Sequence, residues 1–180
     1  MSDPYVIRPA RVADLDRLEE LLLALQDHVE GANADLWRMK PEGRESLRAQ
    51  IANRLDAAAS AAVVAEHRDD GVVGVVFGRV VTNHRYEPPL AGLVDQAYVR
   101  PSHRRQGVAG RLIAEVCHFF AEQGVGDISL RYAVGNDEAA RFWQALVFVP
   151  RIVITGAALE TIQARLSPGQ DPRESGFPSS

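Results

Sequence analysis

Apolar residues recur every three or four positions in some stretches of the chain and gather into valine-rich runs in others, and that contrast sets out the elements. Over residues 11–29, Leu15, Leu18, Leu22 and Leu25 share one face of an amphipathic helix with Asp14 as its expected N-cap. Behind Pro41, the spacing of Leu47, Ile51 and Leu55 predicts a second helix over about 42–59. The texture then changes. Residues 62–67 and 72–82 are rich in valine and are separated by Arg68-Asp69-Asp70-Gly71, which reads as a hairpin. A polar, proline-containing loop over 83–89 leads to a third run at 93–99, and residues 5–8 form a short strand candidate at the start. Helical spacing resumes over 107–123 with Val108, Leu112, Ile113, Val116, Phe119 and Phe120, and Gly124 marks a stop. A strand over 127–133, a helix opened by Asn136 and Asp137 and reaching about Leu146, and a last strand over 148–154 complete the order. Residues 157–166 add a further helix.

This order predicts a mixed α/β (α+β) fold in a single domain over residues 1–166. Residues 167–180, dense in Pro, Gly and Ser without an apolar period, are expected to be a disordered tail. At 180 residues, 46% of them apolar, the chain suits one well-buried core. The formal charge of −4 argues against a non-specific nucleic-acid binder, which needs a clustered basic face, and favours a cationic small molecule as visitor. The start, Met1-Ser2-Asp3-Pro4, lacks a basic stretch followed by an apolar one, and apolar runs such as 57–65 fall short of a bilayer span. The expectation is a cytoplasmic protein without membrane contact. Cys117 is the sole cysteine, so no internal disulfide or cysteine-based metal cage forms. His28, His67, His103 and His118 show no metal-ligand spacing, and no metal is expected.

One segment carries chemistry. After the strand ending at Val99 comes Arg104-Arg105-Gln106-Gly107-Val108-Ala109-Gly110, a basic glycine-containing turn opening a helix. The first turn of a helix exposes N–H groups without internal partners, and its dipole adds about half a positive charge. Gly107, Ala109 and Gly110 let an anionic group approach the backbone, while Arg104, Arg105 and Arg111 can supply charge-assisted hydrogen bonds. Two other phosphate motifs fail: no G-x-x-x-x-G-K-[ST] occurs, and Gly124-Val125-Gly126 lies between a helix and a strand, the wrong context for a dinucleotide fingerprint.

Residues 99–112, Val99-Arg100-Pro101-Ser102-His103-Arg104-Arg105-Gln106-Gly107-Val108-Ala109-Gly110-Arg111-Leu112, resemble motif A of the GNAT superfamily of N-acetyltransferases. Arg104, Gly107 and Ala109 fill its [QR]-x-x-G-x-[GA] pattern, and Asn136-Asp137-Glu138-Ala139-Ala140-Arg141-Phe142-Trp143 resembles motif B. The resemblance implies a central, mostly antiparallel sheet of six to seven strands, flanked by four or five helices, with a splayed wedge between the fourth and fifth strands. It implies acetyl-CoA as co-substrate, its pyrophosphate on the 104–111 segment and its pantetheine arm pairing with backbone near Tyr98 and Val99. Asn136, Ala139, Phe142 and Trp143 would line the other side. For Asn136 a plain helix cap is the competing reading, and for Phe142 and Trp143 it is core packing.

The implied activity is acetyl transfer to a primary amine of a small molecule or peptide by direct attack in a ternary complex, with a homodimer as the family habit. Asp95 is the leading candidate base, placed mid-strand beside the wedge where related enzymes often carry an acidic residue; an ion pair with an arginine is its competing role. His84 and Glu87 are alternatives. Two departures stand out. Trp143 occupies the place of a tyrosine acid in many members, which admits an alternative function as a non-catalytic acyl-CoA-binding regulator; Tyr132 is the substitute donor. Val147 stands where a glycine is usual before the aromatic Phe148. The acceptor side falls to residues 26–39, including Trp37.

Overall fold

The computed structural model describes residues 3–33, 38–85 and 87–167. Trp37 and residues 168–180, the latter nearly all of the expected tail, lie outside them. The chain divides into two compact units, one up to Ala140 and one from Arg141 onward.

The first unit is built on five strands, β1 (Tyr5–Pro9), β2 (Ser60–His67), β3 (Gly71–Thr82), β4 (Leu90–Val99) and β5 (Asp127–Leu130). They lie in sequence order in one sheet, antiparallel until β5, which runs parallel to β4. A parallel neighbour requires a crossover, and α3 (Val108–Glu122) supplies it. Helices α1 (Leu15–Ala32) and α2 (Pro41–Leu55) carry the predicted apolar stripes. Leu18, Leu21, Leu22, Leu47 and Ile51 bury against Val64, Val72, Val75 and Phe77, each fully buried side chain contributing about 1.5–3 kcal/mol. Helix α3 packs where glycines thin the sheet. A Cβ at Gly78 would meet Val116 at 2.8 Å, and one at Gly92 would meet Phe120 at 2.7 Å, so Phe120 rests directly on backbone.

Asp14 precedes α1, yet its side chain does not cap that helix. Its carboxylate instead accepts two bonds from Arg8, at 2.7 and 2.8 Å, and one from the Arg11 N–H at 2.8 Å, closing a 3-10 turn over Val12–Asp14. The Arg8 guanidinium holds the Asp14 carboxyl below its ordinary range, against the opposing effect of burial.

The sheet has five strands among the described residues, not six to seven. The expected strand over 148–154 does not form: Val149, Ile152, Val153 and Ile154 are exposed in irregular chain. Valine and isoleucine favour extended backbone, but a strand needs a hydrogen-bonding neighbour, and Pro150 withholds a donor in the middle of the run. The strand expected to reach Ala133 stops at Leu130.

Helix α4 (Asp137–Ala145) runs across the boundary into the second unit. Within that unit Trp143 is buried, with its ring centroid 4.8 Å from Phe142 and 5.5 Å from Phe148, both edge-on. The chain leaves α4 through a Schellman turn: Phe148 N–H donates to Trp143 O at 3.0 Å and Val147 N–H to Gln144 O at 2.9 Å. That turn needs a left-handed residue, and Val147 adopts φ +61, a conformation costing a side-chain-bearing residue about 1–2 kcal/mol. The suspicion raised by the missing glycine thus has a physical form. Helix α5 (Leu159–Leu166) follows, exposed along its length.

Candidate functional site

β4 bulges where it passes Phe77 and Gly78. Gln96 pairs with Phe77 and Val94 with Gly78, so Asp95 is an extra residue without a partner on β3. The bulge also marks the end of contact with β5, whose pairing runs from Ala91↔Asp127 to Val94↔Leu130 and goes no further. Beyond Val94 one edge of β4 is therefore open, while the other stays paired with β3 to Val99. Arg100 N–H donates to Val73 O on the β3 side, so by strand alternation Ala97 and Val99 turn their main-chain groups to the open edge. Tyr98 turns its own to β3 and packs its ring against the α1–α2 core. Pairing between β4 and β5 thus stops partway along β4, where the resemblance implies a wedge.

From Val99 the chain passes a 3-10 turn (Pro101–His103) and enters the 104–110 segment. Arg105 and Gly107 both take left-handed backbone, φ +59 and +76, and Gly107 is the N-cap of α3. No side chain caps the helix, and the first internal bond is Arg111 N–H to Gly107 O at 3.2 Å. The amides of Val108, Ala109 and Gly110 thus have no partner among the described residues. The space above them is open as well, since a Cβ at Gly107 or Gly110 would meet nothing within 4 Å. Unpaired donors, a helix N-terminus and bare backbone form an anion cradle.

The side chains around it divide by partner. Arg104 donates from Nε to Val99 O at 2.9 Å, pairs with Glu138 at 2.7 Å and stands 5.5 Å over the Tyr98 ring. Arg111 turns back to Asp3 at 2.8 Å and Tyr5 O at 3.3 Å. Gln106 donates to Ser102 O at 3.2 Å and accepts from the Tyr5 hydroxyl at 2.9 Å. Arg105 is exposed and has no partner among the described residues, which leaves it available to an incoming anion. Of the expected basic contacts, Arg104 and Arg111 shape the turn and Arg105 faces outward from it.

Asp95 sits in an ion cluster. Its carboxylate accepts from Arg54 at 2.7 Å and from Arg79 at 3.1 Å, while Arg54 also donates to Gln96 at 2.6 Å and lies 4.5 Å over the Phe77 ring. In a regular strand Asp95 and Gln96 would point to opposite faces; the bulge brings both to one guanidinium. Burial pulls Arg54 below its ordinary value, with the charge of Asp95 opposing and that of Arg79 reinforcing. Sequence reading named neither arginine. Arg54 carried a signal, however, because it lies seven residues after Leu47 on the inward stripe of α2, where a cation needs a partner.

The remaining candidates are placed as follows. Asn136 caps α4, its Oδ1 accepting from Ala139 N–H at 3.1 Å. Phe142 and Trp143 belong to the second unit and pack on each other. Tyr132 is partly exposed just past β5, and His84 and Glu87 are exposed in the β3–β4 loop.

Comparison with known proteins adds three findings. The acetyltransferase (GNAT) family profile matches residues 24–148. No curated relative matches the sequence. Among solved structures, aminoglycoside 6'-N-acetyltransferase AAC(6')-Ih from Acinetobacter baumannii is 15% identical, with TM-score 0.67 over 86% of this chain and 99% of that one. AAC(6')-Iy, solved with a CoA-acetylneamine bisubstrate analogue, is 19% identical, with TM-score 0.65 over 87% of this chain and 99% of that one. A transcriptional regulator from Bacillus halodurans C-125 is 19% identical, with TM-score 0.67 over 86% of this chain and 99% of that one. At these identities the neighbours speak to the fold alone. Among the described residues no helix is long and apolar enough to cross a membrane.

Proposed function

Because the chain belongs to the GNAT family of acetyltransferases, we propose that it moves an acetyl group from acetyl-CoA to a primary amine of a small molecule or peptide. The observation that carries the reading is the cradle at the start of α3, where three amides lack partners among the described residues beneath open space. Those groups fit a pyrophosphate. The amides of Val108, Ala109 and Gly110, with Arg105, would hold it, and the open main chain of Ala97 with the Val99 N–H would hold the amide-bearing arm, the Val99 carbonyl being taken by Arg104. When bound, the coenzyme supplies a thioester already activated toward an amine.

The chain's own task is to orient the acceptor and dispose of a proton. A lysine-like amine must give up its proton at a cost of about 4–5 kcal/mol at neutral pH, an α-amino group only about 1. Asp95, beside the wedge, is the proposed acceptor of that proton through water. Its pairing with Arg54 and Arg79 favours a second reading, in which it is a positioning residue that holds two cations against the bulge. Asp95→Asn separates the two. A base gives up the acidic limb of the kcat/KM profile, whereas a positioning residue keeps that limb and loses stability instead. Trp143 has no proton to offer a leaving thiol, and a thiol of pKa about 8.5 manages without one at roughly 2 kcal/mol.

The net charge of −4 suits a cationic acceptor, and two of the structural neighbours are named as acetyltransferases of aminoglycosides, which are polycationic. Thiol release is therefore to be screened first with aminoglycosides and polyamines, then with arylamines, amino acids and peptide N-termini. Trp143 in the place of a tyrosine favours one rival, a non-catalytic acyl-CoA-binding regulator. Coenzyme-dependent thiol release above the hydrolysis blank supports transfer; coenzyme binding without release from any amine class supports the regulator.

A further inference from the structure

The Arg68–Gly71 hairpin turn and the 3-10 turn before the anion cradle bring two side chains that are near in sequence together with a third that is distant. His67 closes β2, Asp70 lies in the turn, and His103 stands just ahead of Arg104. His67 Nδ1 is 3.0 Å and His103 Nε2 3.4 Å from the same oxygen of Asp70, and all three donor atoms lie within 4.8 Å of one another. His103 is buried, His67 largely so, and Asp70 half exposed.

The surrounding hydrogen bonds favour one tautomer of each ring. Gln106 gives its amide N–H to Ser102 O, so its Oε1 faces Tyr5 and takes the tyrosine proton at 2.9 Å. The Tyr5 oxygen must then accept from His103 Nδ1–H, also at 2.9 Å, which leaves the Nε2 lone pair directed at Asp70. On the other ring, His67 Nδ1 accepts from Asp69 N–H at 3.3 Å, a long bond that engages its one lone pair. In these tautomers two imidazole nitrogens and a carboxylate oxygen converge within 4.8 Å of one another. Both nitrogens lie within hydrogen-bonding distance of the same carboxylate oxygen. A divalent cation answers both, and would replace the long bond from Asp69.

We propose that His67, Asp70 and His103 bind a divalent transition-metal ion of the zinc class. The donor set of two imidazoles and one carboxylate suits such an ion, and ligands about 2.0–2.2 Å from zinc in tetrahedral array stand about 3.3 Å apart, close to the 3.0 and 3.4 Å of the two imidazole–carboxylate edges, with the third edge within 4.8 Å. The outer contacts are also in place. Tyr5 orients the His103 ring through its far nitrogen, as the partners of metal-ligating histidines do. Arg17 pins the hairpin by donating to Val72 O at 3.1 Å and Asp70 O at 3.2 Å. The exposed side of Asp70 leaves room for water to complete the coordination. The ion would clip the β2–β3 turn to the segment leading into the cradle, a role that does not depend on acyl transfer.

The test uses the untagged full-length chain, stripped with a chelator and dialysed. Zinc chloride is titrated by calorimetry, and cobalt(II) chloride by visible absorption, where ligand-field bands report a low-coordinate site. The expected result is one ion per chain. Asp70→Asn and His67→Gln should each weaken zinc at least tenfold, and Tyr5→Phe, which removes only the orienting hydroxyl, about 10–100-fold. His118→Gln is the control for the separate contact of His118 with Glu122 at 3.4 Å and should change nothing. Absence of stoichiometric binding would overturn the proposal, as would wild-type affinity in Asp70→Asn, an exposed turn position where a folding failure is not expected.

Discussion

Helices α3 and α4 are built to the same plan and finished in opposite ways. Each follows a strand or turn of the first unit, and each leaves through a Schellman turn. At its N-terminus α4 carries a side-chain cap, because Asn136 Oδ1 accepts from Ala139 N–H. α3 is open there: Gly107 offers no side chain, and three amides have no partner among the described residues. At the C-termini the contrast reverses. α3 leaves through Gly124, φ +74, with Val125 N–H to Phe120 O at 3.0 Å and Gly124 N–H to Ala121 O at 3.0 Å. α4 makes the same two bonds through Val147, a β-branched residue held at φ +61. The difference teaches where each helix spends its hydrogen-bonding capacity. α4 satisfies its own start and carries strain at its end; α3 ends without strain and leaves its start for something else.

The sharpest way to break that comparison is to close the open end of α3. Gly107→Val places a side chain in the empty space above the amides and forces a β-branched residue to φ +76. Coenzyme affinity measured by calorimetry should fall by a factor of about 100 or more, equivalent to roughly 3 kcal/mol. Next in size is the unstrained end. Gly124→Val would impose on α3 the strain that α4 already bears, lowering stability in urea unfolding by about 1–2 kcal/mol with coenzyme affinity unchanged. Arg105→Ala should weaken the coenzyme about tenfold without touching stability, since Arg105 has no partner among the described residues to lose. Arg104→Ala, by contrast, should lower both, because it breaks the links to Val99 O and Glu138. Asn136→Ala removes the cap of α4 and should cost about 1 kcal/mol of stability while coenzyme affinity changes less than threefold. A larger loss of affinity there would show that the Asn136 amide reaches the ligand. The smallest effect is a gain: Val147→Gly relieves the left-handed valine and should stabilise by about 0.5–1 kcal/mol, the rest being offset by the freedom glycine adds to the unfolded chain.

Acid should act through a different group. The Asp14 carboxyl is held below its ordinary value by Arg8, so its contribution is complete above the unfolded carboxylate range. It is lost as pH falls through the lowered folded value. Asp14→Asn should therefore destabilise by about 3 kcal/mol at neutral pH and flatten the dependence of unfolding on acid pH.

Much of this was legible in the sequence because it is local. The period of Leu15, Leu18 and Leu22, the glycine at 107 and the glycine at 124 each state a backbone requirement within a few residues. What was hidden is what the fold assembles from a distance. Asp95 could be seen as a carboxylate beside a wedge, but Arg54 comes from 41 positions away and the bulge that turns Asp95 toward it leaves no mark in the spacing. The histidines told the same story, since His67 and His103 meet only because β4 brings the chain back beside the start of β3. Residues 148–154 fail in the other direction. Their valine and isoleucine content describes a strand accurately enough in isolation, and no local pattern shows whether a neighbouring edge is there to receive it.

The central claim is that the open N-terminus of α3 is a coenzyme site, and thermal unfolding with and without acetyl-CoA tests it most directly. A ligand at 100 times its dissociation constant should stabilise the folded chain by about 2.7 kcal/mol, and Gly107→Val should abolish that gain. No shift at millimolar coenzyme, or an equal shift in Gly107→Val, would contradict the account.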